Sequence, residues 1–211
     1  MTPLYRLDCP AAAIGAAFAA DAGEDPWAGG YVAMGRFAPV VTAGREFIAG
    51  ARPSHGPRRM VPRLWGVPPP PAAHDPARLV GSVRNADSPF WIGNLRNSEF
   101  RCLVPATAFM QWGRVDPATN KRRSHWFGCT DQTVFAMAGV WKDSEVPGFA
   151  LLSCPANALL KAAGCTAMPV IFPAGDAVQD TWLHGGWDRA GGMLAPYASS
   201  MMTELFAVRS D

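Results

Sequence analysis

Short apolar or alternating runs, separated by turn residues, dominate the second half of the chain. Runs of this length that are rich in aromatic and β-branched side chains are typical of β-strands. One similar run lies earlier in the chain. The predicted strands cover residues 36–42, 101–104, 108–112, 124–129, 133–141, 149–153, 169–172 and 205–209.

Three segments predict short helices. Residues 8–21 are rich in alanine with a proline near the start, and residues 155–163 begin with proline and are followed by Gly164. Proline is favoured in the first turn of a helix and glycine just after its end. Residues 176–183 form the third. Strands and helices together predict an α/β (α+β) fold, a single domain over residues 1–211 with a curved, mostly antiparallel, barrel-like β-sheet and a few peripheral helices.

The proline- and arginine-rich segment 53–76 is predicted to be a loop that crosses the surface. It contains an unbroken run of prolines at 68–71, which must be extended. The apolar residues 64–67 interrupt it.

Charge is unevenly distributed, although the net charge of the 211 residues is only +2. Residues 47–74 contain four arginines and no acid, and residues 117–130 contain three basic residues and no acid. Such segregation is what a basic surface for a polyanion requires. Two solvated loops with scattered basic residues are the alternative.

Cysteines and histidines do not suggest a disulfide framework or a metal site. There are five cysteines, an odd number, and no two of them have C-x-x-C spacing. The four histidines are scattered along the sequence without the spacing of metal ligands. No signal peptide or apolar run of membrane-spanning length is visible. The sequence therefore predicts a cytoplasmic protein that has no cofactor, no metal and no membrane partner.

Several short motifs occur in a characteristic order between roughly residues 60 and 185. They are Trp65-Gly66-Val67-Pro68, Asn85-Ala86, residues 101–106 with Phe109 and Trp112, residues 138–141, residues 155–157, Met168-Pro169-Val170 and Trp182-Leu183. Taken together in this order, they resemble one known family, the SRAP family (SOS response-associated peptidase, also called abasic site processing proteins).

This resemblance implies a curved sheet with a basic groove that holds single-stranded DNA. In active members of the family, removal of the initiator methionine leaves an N-terminal cysteine. The amine and thiol of that cysteine capture the ring-opened sugar of an abasic site and form a covalent crosslink. The chemistry is reasonable, because an N-terminal amine with a pKa of about 8 is partly neutral near pH 7. An asparagine, a glutamate and a histidine surround the cysteine, and the last two can move protons.

Most of these catalytic positions are changed in this chain. Thr2 replaces the cysteine, Gln111 replaces the glutamate and Cys165 replaces the histidine, whereas Asn85 is retained. Glutamine has nearly the shape of glutamate but cannot take a proton. Two arginines that would contact phosphate are also replaced. Their positions hold Asp87 and Ala167. If residues 85–87 are extended, Asp87 points where the arginine did and repels phosphate.

The first hypothesis is therefore a non-catalytic or weakly active relative that binds single-stranded DNA, abasic DNA included. Aromatic side chains in a basic groove stack on bases, at about 1–3 kcal/mol each. For any single tryptophan, a place in the core is the alternative. The candidate DNA-binding residues are Trp65, Trp112, Arg58, Arg59, Arg63 and Arg84.

Two other hypotheses stay open. One is an active crosslinking enzyme that uses Thr2 or Cys165, and Thr2 requires removal of Met1, which Pro3 hinders. The other is a protein-interaction or small-molecule-binding module on the same scaffold. The oligomeric state is left open by the sequence.

Overall fold

The computed structural model describes residues 4–44, 57–71, 73–75 and 77–209. The strands are β1 (Leu4–Leu7), β2 (Ala20–Asp21), β3 (Gly30–Ala33), β4 (Phe37–Thr42), β5 (Arg58–Trp65), β6 (Ser82–Val83), β7 (Arg101–Ala106), β8 (Ala108–Val115), β9 (Arg122–Cys129), β10 (Phe135–Lys142), β11 (Gly148–Pro155), β12 (Ala167–Pro169), β13 (Ile171–Phe172) and β14 (Met202–Arg209). The helices are α1 (Ala11–Phe18), α2 (Ile92–Arg96), α3 (Ala158–Ala162), α4 (Asp176–His184) and α5 (Trp187–Ala190).

The strands form two sheets. Within the described residues, one has five strands in the order β14-β9-β8-β1-β3, and the other has nine, seven of them in the order β12-β11-β10-β7-β4-β5-β2. In the second sheet, β13 pairs with β10 and β6 with β11. Most pairs are antiparallel, and β11 runs parallel to β5 and β6. The predicted fold class, a mixed α and β fold dominated by antiparallel strands, is confirmed, with the strands divided between two sheets.

The predicted surface loop at 53–76 is wrong over β5, which lies inside the larger sheet. On one side β5 pairs with β4 along its length. On the other side it pairs with β2 at residues 58–59 and with β11 at residues 64–65. Pro62 lies in the gap between these two pairings. A proline without an N–H is tolerated there because, among the described residues, no strand on that side needs its donor.

The three predicted helices are present, and two are shorter than expected. Helix α1 ends because Ala19 adopts a left-handed backbone with φ 46°. Helix α3 begins after Asn157, whose side chain accepts a hydrogen bond from the Leu160 N–H. This side-chain cap, and not the earlier proline, sets the start of the helix.

The five-stranded sheet has two different faces because side chains alternate along each strand. Its inner face contributes Tyr5, Phe109 and Phe127 to the main apolar core, which it shares with the larger sheet. Its outer face carries a separate small cluster of Ala108, Met110 and Trp126, with Leu4 and Trp112 packed against it.

Candidate nucleic-acid interface

A cavity of about 810 Å³ opens between the start of β1, the centre of β8, parts of β11 and β12, and the chain that follows β5. Its volume is within the range of about 300–1,000 Å³ that is usual for ligand sites. The walls are largely aromatic and apolar. Prominent wall residues are Leu4, Tyr5, Trp65, Phe109, Met110 and Trp112.

Gln111 and Ala167, interpreted from the sequence as replacements of family residues, both line this cavity. Gln111 is half-buried and lies opposite His125 in the β8–β9 pairing. Ala167, on β12, presents only a methyl group. The structure therefore brings Gln111 and Ala167 to the same cavity, which Trp112 also lines.

The two candidate tryptophans differ in how firmly they are fixed. Trp65 is buried, donates a hydrogen bond from Nε1 to the Gly81 carbonyl at 2.9 Å, and stacks on Phe149 at 6.3 Å between ring centroids. It is part of the cavity wall as well as of the core. Trp112 is half-buried, and its Nε1 has no hydrogen-bond partner in the described part of the chain.

Tyr5 also lines the cavity and was not among the predicted site residues. Its ring lies 5.1 Å from that of Trp65, and its buried hydroxyl has no hydrogen-bond partner among the described residues. Burial raises the pKa of Tyr5 well above its ordinary value, so the hydroxyl keeps its proton. A buried polar group without a partner costs about 1–3 kcal/mol, which a ligand with an acceptor can recover. The alternating apolar pattern at the start of β1 is the sequence signal for Tyr5.

Basic side chains lie at the mouth of the cavity. Arg84, one of the predicted DNA-binding residues, is exposed and lines it. Exposed Arg78 and His74 also line it, with Asp75 between them in sequence. These two basic residues follow the proline run, and their position next to Arg84 depends on a fold that sequence patterns do not show.

Arg58 and Arg63, predicted to contact DNA, are buried within the fold. Arg58 donates hydrogen bonds to the Phe18 carbonyl at 2.8 Å and to Gln179 Oε1 at 2.6 Å. It also forms ion pairs with Asp176 and Asp180 of α4. Its guanidinium therefore joins β5 to α1 and α4.

The guanidinium carbon of Arg63 lies 4.8 Å from the centre of the Trp141 ring, and Arg63 donates a hydrogen bond to the Pro62 carbonyl at 3.1 Å. Arg59 is exposed on β5. None of these three arginines is among the described residues that line the cavity.

Cys165 lies two residues before Ala167 and is 4% exposed. Burial, followed by the negative charge of Glu204, raises the pKa of its thiol to about 11. The thiol is therefore protonated at neutral pH, and the thiolate needed for nucleophilic attack is scarce. Cys165 is not among the described residues that line the cavity.

Asn85 and Thr2 complete the predicted catalytic set. Asn85 is exposed, and its side-chain oxygen accepts a hydrogen bond from the Asp87 N–H at 3.0 Å. Residues 86–87 form a turn, so the extended conformation assumed for residues 85–87 is wrong and the alternation argument for Asp87 does not apply. Thr2 lies outside the described residues.

The structure contains a histidine–carboxylate pair that the sequence did not suggest. Its histidine, His125, lies opposite Gln111 in the β8–β9 pairing. His125 Nδ1 is 2.8 Å from Glu204 Oε1, joining β9 to β14. Gly113 leaves room for this imidazole, since a Cβ at that position would lie 2.6 Å from His125 Nε2. The two residues of the pair are far apart in the sequence and carry no common motif.

Within the described residues, no helix is long and apolar enough to cross a membrane. Over the same residues, no group of three or more histidine, cysteine or acidic side chains is placed to hold a metal ion.

The family model for SOS response associated peptidase (SRAP) matches residues 5–210. The chain belongs to the SRAP family. The match is longer than the span of motifs recognised in the sequence, since it reaches β1 and β14. No functionally curated relative matches the chain.

Solved structures share the fold of this SRAP chain at low sequence identity. A protein from Bordetella bronchiseptica is 16% identical with a TM-score of 0.73, and the match covers 99% of both chains. A protein from Bacteroides thetaiotaomicron is 15% identical with a TM-score of 0.72, covering 98% of this chain and 90% of that one. A phage-related protein from Bordetella bronchiseptica is 14% identical with a TM-score of 0.67, covering 99% of this chain and 93% of that one.

Proposed function

We propose that this SRAP-family protein binds single-stranded DNA, abasic DNA included, without forming a stable covalent crosslink. The proposal rests on the presence of neutral Gln111 and half-buried Trp112 in the lining of the cavity of about 810 Å³. Exposed Arg84 and Arg78 supply positive charge at the same cavity. A cavity with aromatic walls and a basic mouth suits an unpaired nucleotide and its phosphate.

The binding mode assigns different roles to the candidate residues. Trp112 and Arg84 contact the DNA, whereas Trp65 supports the wall from the core. Arg58 and Arg63 stabilise the fold around the site, since protein groups already surround their guanidiniums. Arg59 is exposed away from the cavity lining and contributes to the general basic surface.

The absence of covalent chemistry follows from the groups that replace the family residues. The amide of Gln111 cannot accept the proton that a carboxylate would take. The thiol of Cys165, with a pKa of about 11, replaces an imidazole that would titrate near neutral pH. Neither group can act as a general acid or base at pH 7.

A crosslinking assay tests this proposal directly. The purified protein is mixed with single-stranded DNA that carries one abasic site and is run on a denaturing gel, with and without borohydride. We expect no shifted band in either lane, and fluorescence anisotropy of the same DNA should show reversible binding that weakens as salt rises. A heat-stable band without reductant would overturn the non-covalent assignment.

The active-enzyme alternative makes a distinct prediction in the same assay. Thr2→Ala would abolish a band that depends on an N-terminal nucleophile, and Cys165→Ala would abolish one that depends on the thiol. Loss of Met1, measured by mass spectrometry of the intact protein, is required for the first route.

A small-molecule-binding function is the second candidate, and one observation favours it. An apolar cavity of about 610 Å³ lies between β13, α4 and residues 193–198, and it shares no lining residue with the larger cavity. Tyr197 lines it, and the hydroxyl of Tyr197 donates a hydrogen bond to Asp131 at 2.6 Å. An apolar fluorescent dye tests this function. Binding of the dye to the wild-type protein, and loss of that binding in the Ala177→Trp variant, would support it. The same variant should bind DNA as the wild type does.

A further inference from the structure

Three aromatic side chains form a row on the outer face of the five-stranded sheet. They are Tyr31 of β3, Trp126 of β9 and Phe206 of β14, and we call them the outer aromatic row. The rings of Tyr31 and Trp126 meet edge to face at 5.5 Å, and those of Trp126 and Phe206 stack at 5.7 Å. The row therefore crosses the full width of the sheet, from one edge strand to the other.

The two ends of the row are open to solvent. Tyr31 is 60% exposed and Phe206 is 38% exposed, whereas Trp126 between them is 5% exposed. Leu205, next to Phe206, is 47% exposed. Single exposed apolar residues need no explanation, but adjacent ones that form a patch mark a binding surface.

The outer aromatic row is continuous with the large cavity. Met110 belongs to the same apolar cluster as Trp126 and also lines the cavity. Leu4 and Trp112 pack against that cluster and line the cavity too. The apolar cluster that holds Trp126 therefore also borders the cavity.

Charge on this face suits an anionic partner. The guanidinium carbon of Arg6 lies 5.2 Å from the centre of the Tyr31 ring, and Arg6 also forms an ion pair with Asp8 at 2.5 Å. Arg122 precedes Trp126 by four residues on the same strand and so shares its face. Glu204 is on the opposite face, where it pairs with His125.

We propose that the outer aromatic row binds successive bases of single-stranded DNA as the strand leaves the cavity. This proposal rests on the proposed function and adds the path of the strand to it. Exposed aromatic rings on an antiparallel sheet stack on unpaired bases of any sequence, and neighbouring arginines hold the phosphates. Tyr31 and Phe206 are the base-contacting residues, and buried Trp126 positions both rings.

Oligothymidylates of two lengths, labelled with fluorescein, test the proposal by fluorescence anisotropy. The longer has about 15 nucleotides, enough to reach the row, and the shorter has about 4, enough only for the cavity. We expect Tyr31→Ala and Phe206→Ala each to weaken binding of the longer strand by about 5- to 150-fold, the loss of one stacked base. Binding of the shorter strand should not change, and Tyr31→Trp should bind the longer strand as the wild type does.

Phe37→Ala is the matched control, because Phe37 is 56% exposed but lies on β4 of the other sheet. It should bind both strands as the wild type does. If the wild-type protein binds the longer strand no more tightly than the Tyr31→Ala and Phe206→Ala variants do, this proposal is overturned and the proposed function is unaffected. Wild-type protein that binds neither strand refutes the proposed function as well. If the wild-type protein is a dimer, and Tyr31→Ala dissociates the dimer without changing DNA affinity, the outer aromatic row is a contact between two copies of the chain. That result also overturns the proposal.

Discussion

His125 Nδ1 lies 2.8 Å from Glu204 Oε1 across the β9–β14 pairing, on the face of the sheet that carries Gln111. Glu204 has a second effect, because its negative charge adds to burial in raising the pKa of the nearby Cys165 thiol. The pair therefore keeps a carboxylate close to the Cys165 thiol. This carboxylate suppresses ionisation of the thiol.

Cys165 should react slowly with iodoacetamide in the folded protein. With a pKa of about 11 in place of the ordinary 9.0, its thiolate fraction at pH 8 falls about 100-fold. Because the pKa is raised, reactivity should keep rising with pH until about 11. Mass spectrometry of peptides after timed alkylation gives the rate, and protein unfolded in urea gives the reference. Equal rates in the folded and unfolded protein would contradict the raised pKa.

Glu204→Gln should speed this alkylation, since it removes the negative charge that raises the pKa of Cys165. The increase should be smaller than the effect of unfolding, because burial is the larger cause of the shift. Glu145→Gln, at an exposed position, is the control and should leave the rate unchanged.

Arg58 should contribute to stability far more than its neighbour Arg59. Arg58→Ala leaves the Phe18 carbonyl and buried Gln179 without their partner, which costs about 2–4 kcal/mol in the free energy of unfolding. The exposed carboxylates of Asp176 and Asp180 regain water and add little. Arg59→Ala, at an exposed position, should change stability by less than about 0.5 kcal/mol. Urea denaturation measures both, and similar losses for the two variants would refute the structural role of Arg58.

The site of Arg58 shows what sequence patterns could and could not predict. Alternating apolar runs predicted most strands, and the family motifs drew attention to Gln111, which lines the large cavity. The strand around Pro62 was missed because a proline is tolerated inside a sheet only where no partner strand needs the N–H that it lacks, and that condition depends on the tertiary fold. The partners of Arg58 on α4 are 118 to 122 residues away, and no local pattern links them. His125 and Glu204, 79 residues apart, were missed for the same reason.

Arg84 should bind phosphate and so contribute to the salt dependence of DNA binding. Each phosphate contact with single-stranded DNA adds about −0.7 to the slope of log affinity against log salt concentration. Arg84→Ala should therefore make the slope shallower by about 0.7 and weaken binding of all sequences alike. Arg96→Ala, an exposed arginine on α2 that does not line the cavity, is the matched control. A slope that is unchanged by Arg84→Ala would exclude this phosphate contact.

Covalent capture should return when the family residues are restored on this scaffold. The variant combines Thr2→Cys and Pro3→Asn, which favour removal of Met1, with Gln111→Glu, which restores a carboxylate at the cavity wall. The N-terminal amine and thiol can then attack the aldehyde of an abasic site, and the restored carboxylate can take the proton that the amide of Gln111 cannot. We expect a heat-stable band on a denaturing gel without borohydride, after mass spectrometry has verified that Met1 is absent.

The same variant with Gln111 retained is the control, because it has the nucleophile but not the carboxylate. It should give a band only with borohydride, or a band that forms much more slowly, since proton transfer by a positioned side chain contributes about 10²–10⁴-fold to such reactions. Adding Cys165→His to the restored variant tests the remaining family position. That change enlarges a side chain that is 4% exposed, so circular dichroism must first show an intact fold. If every restored variant folds, lacks Met1 and binds abasic DNA but forms no crosslink, restoring residues 2, 111 and 165 is not sufficient for covalent capture on this scaffold, which contradicts this prediction.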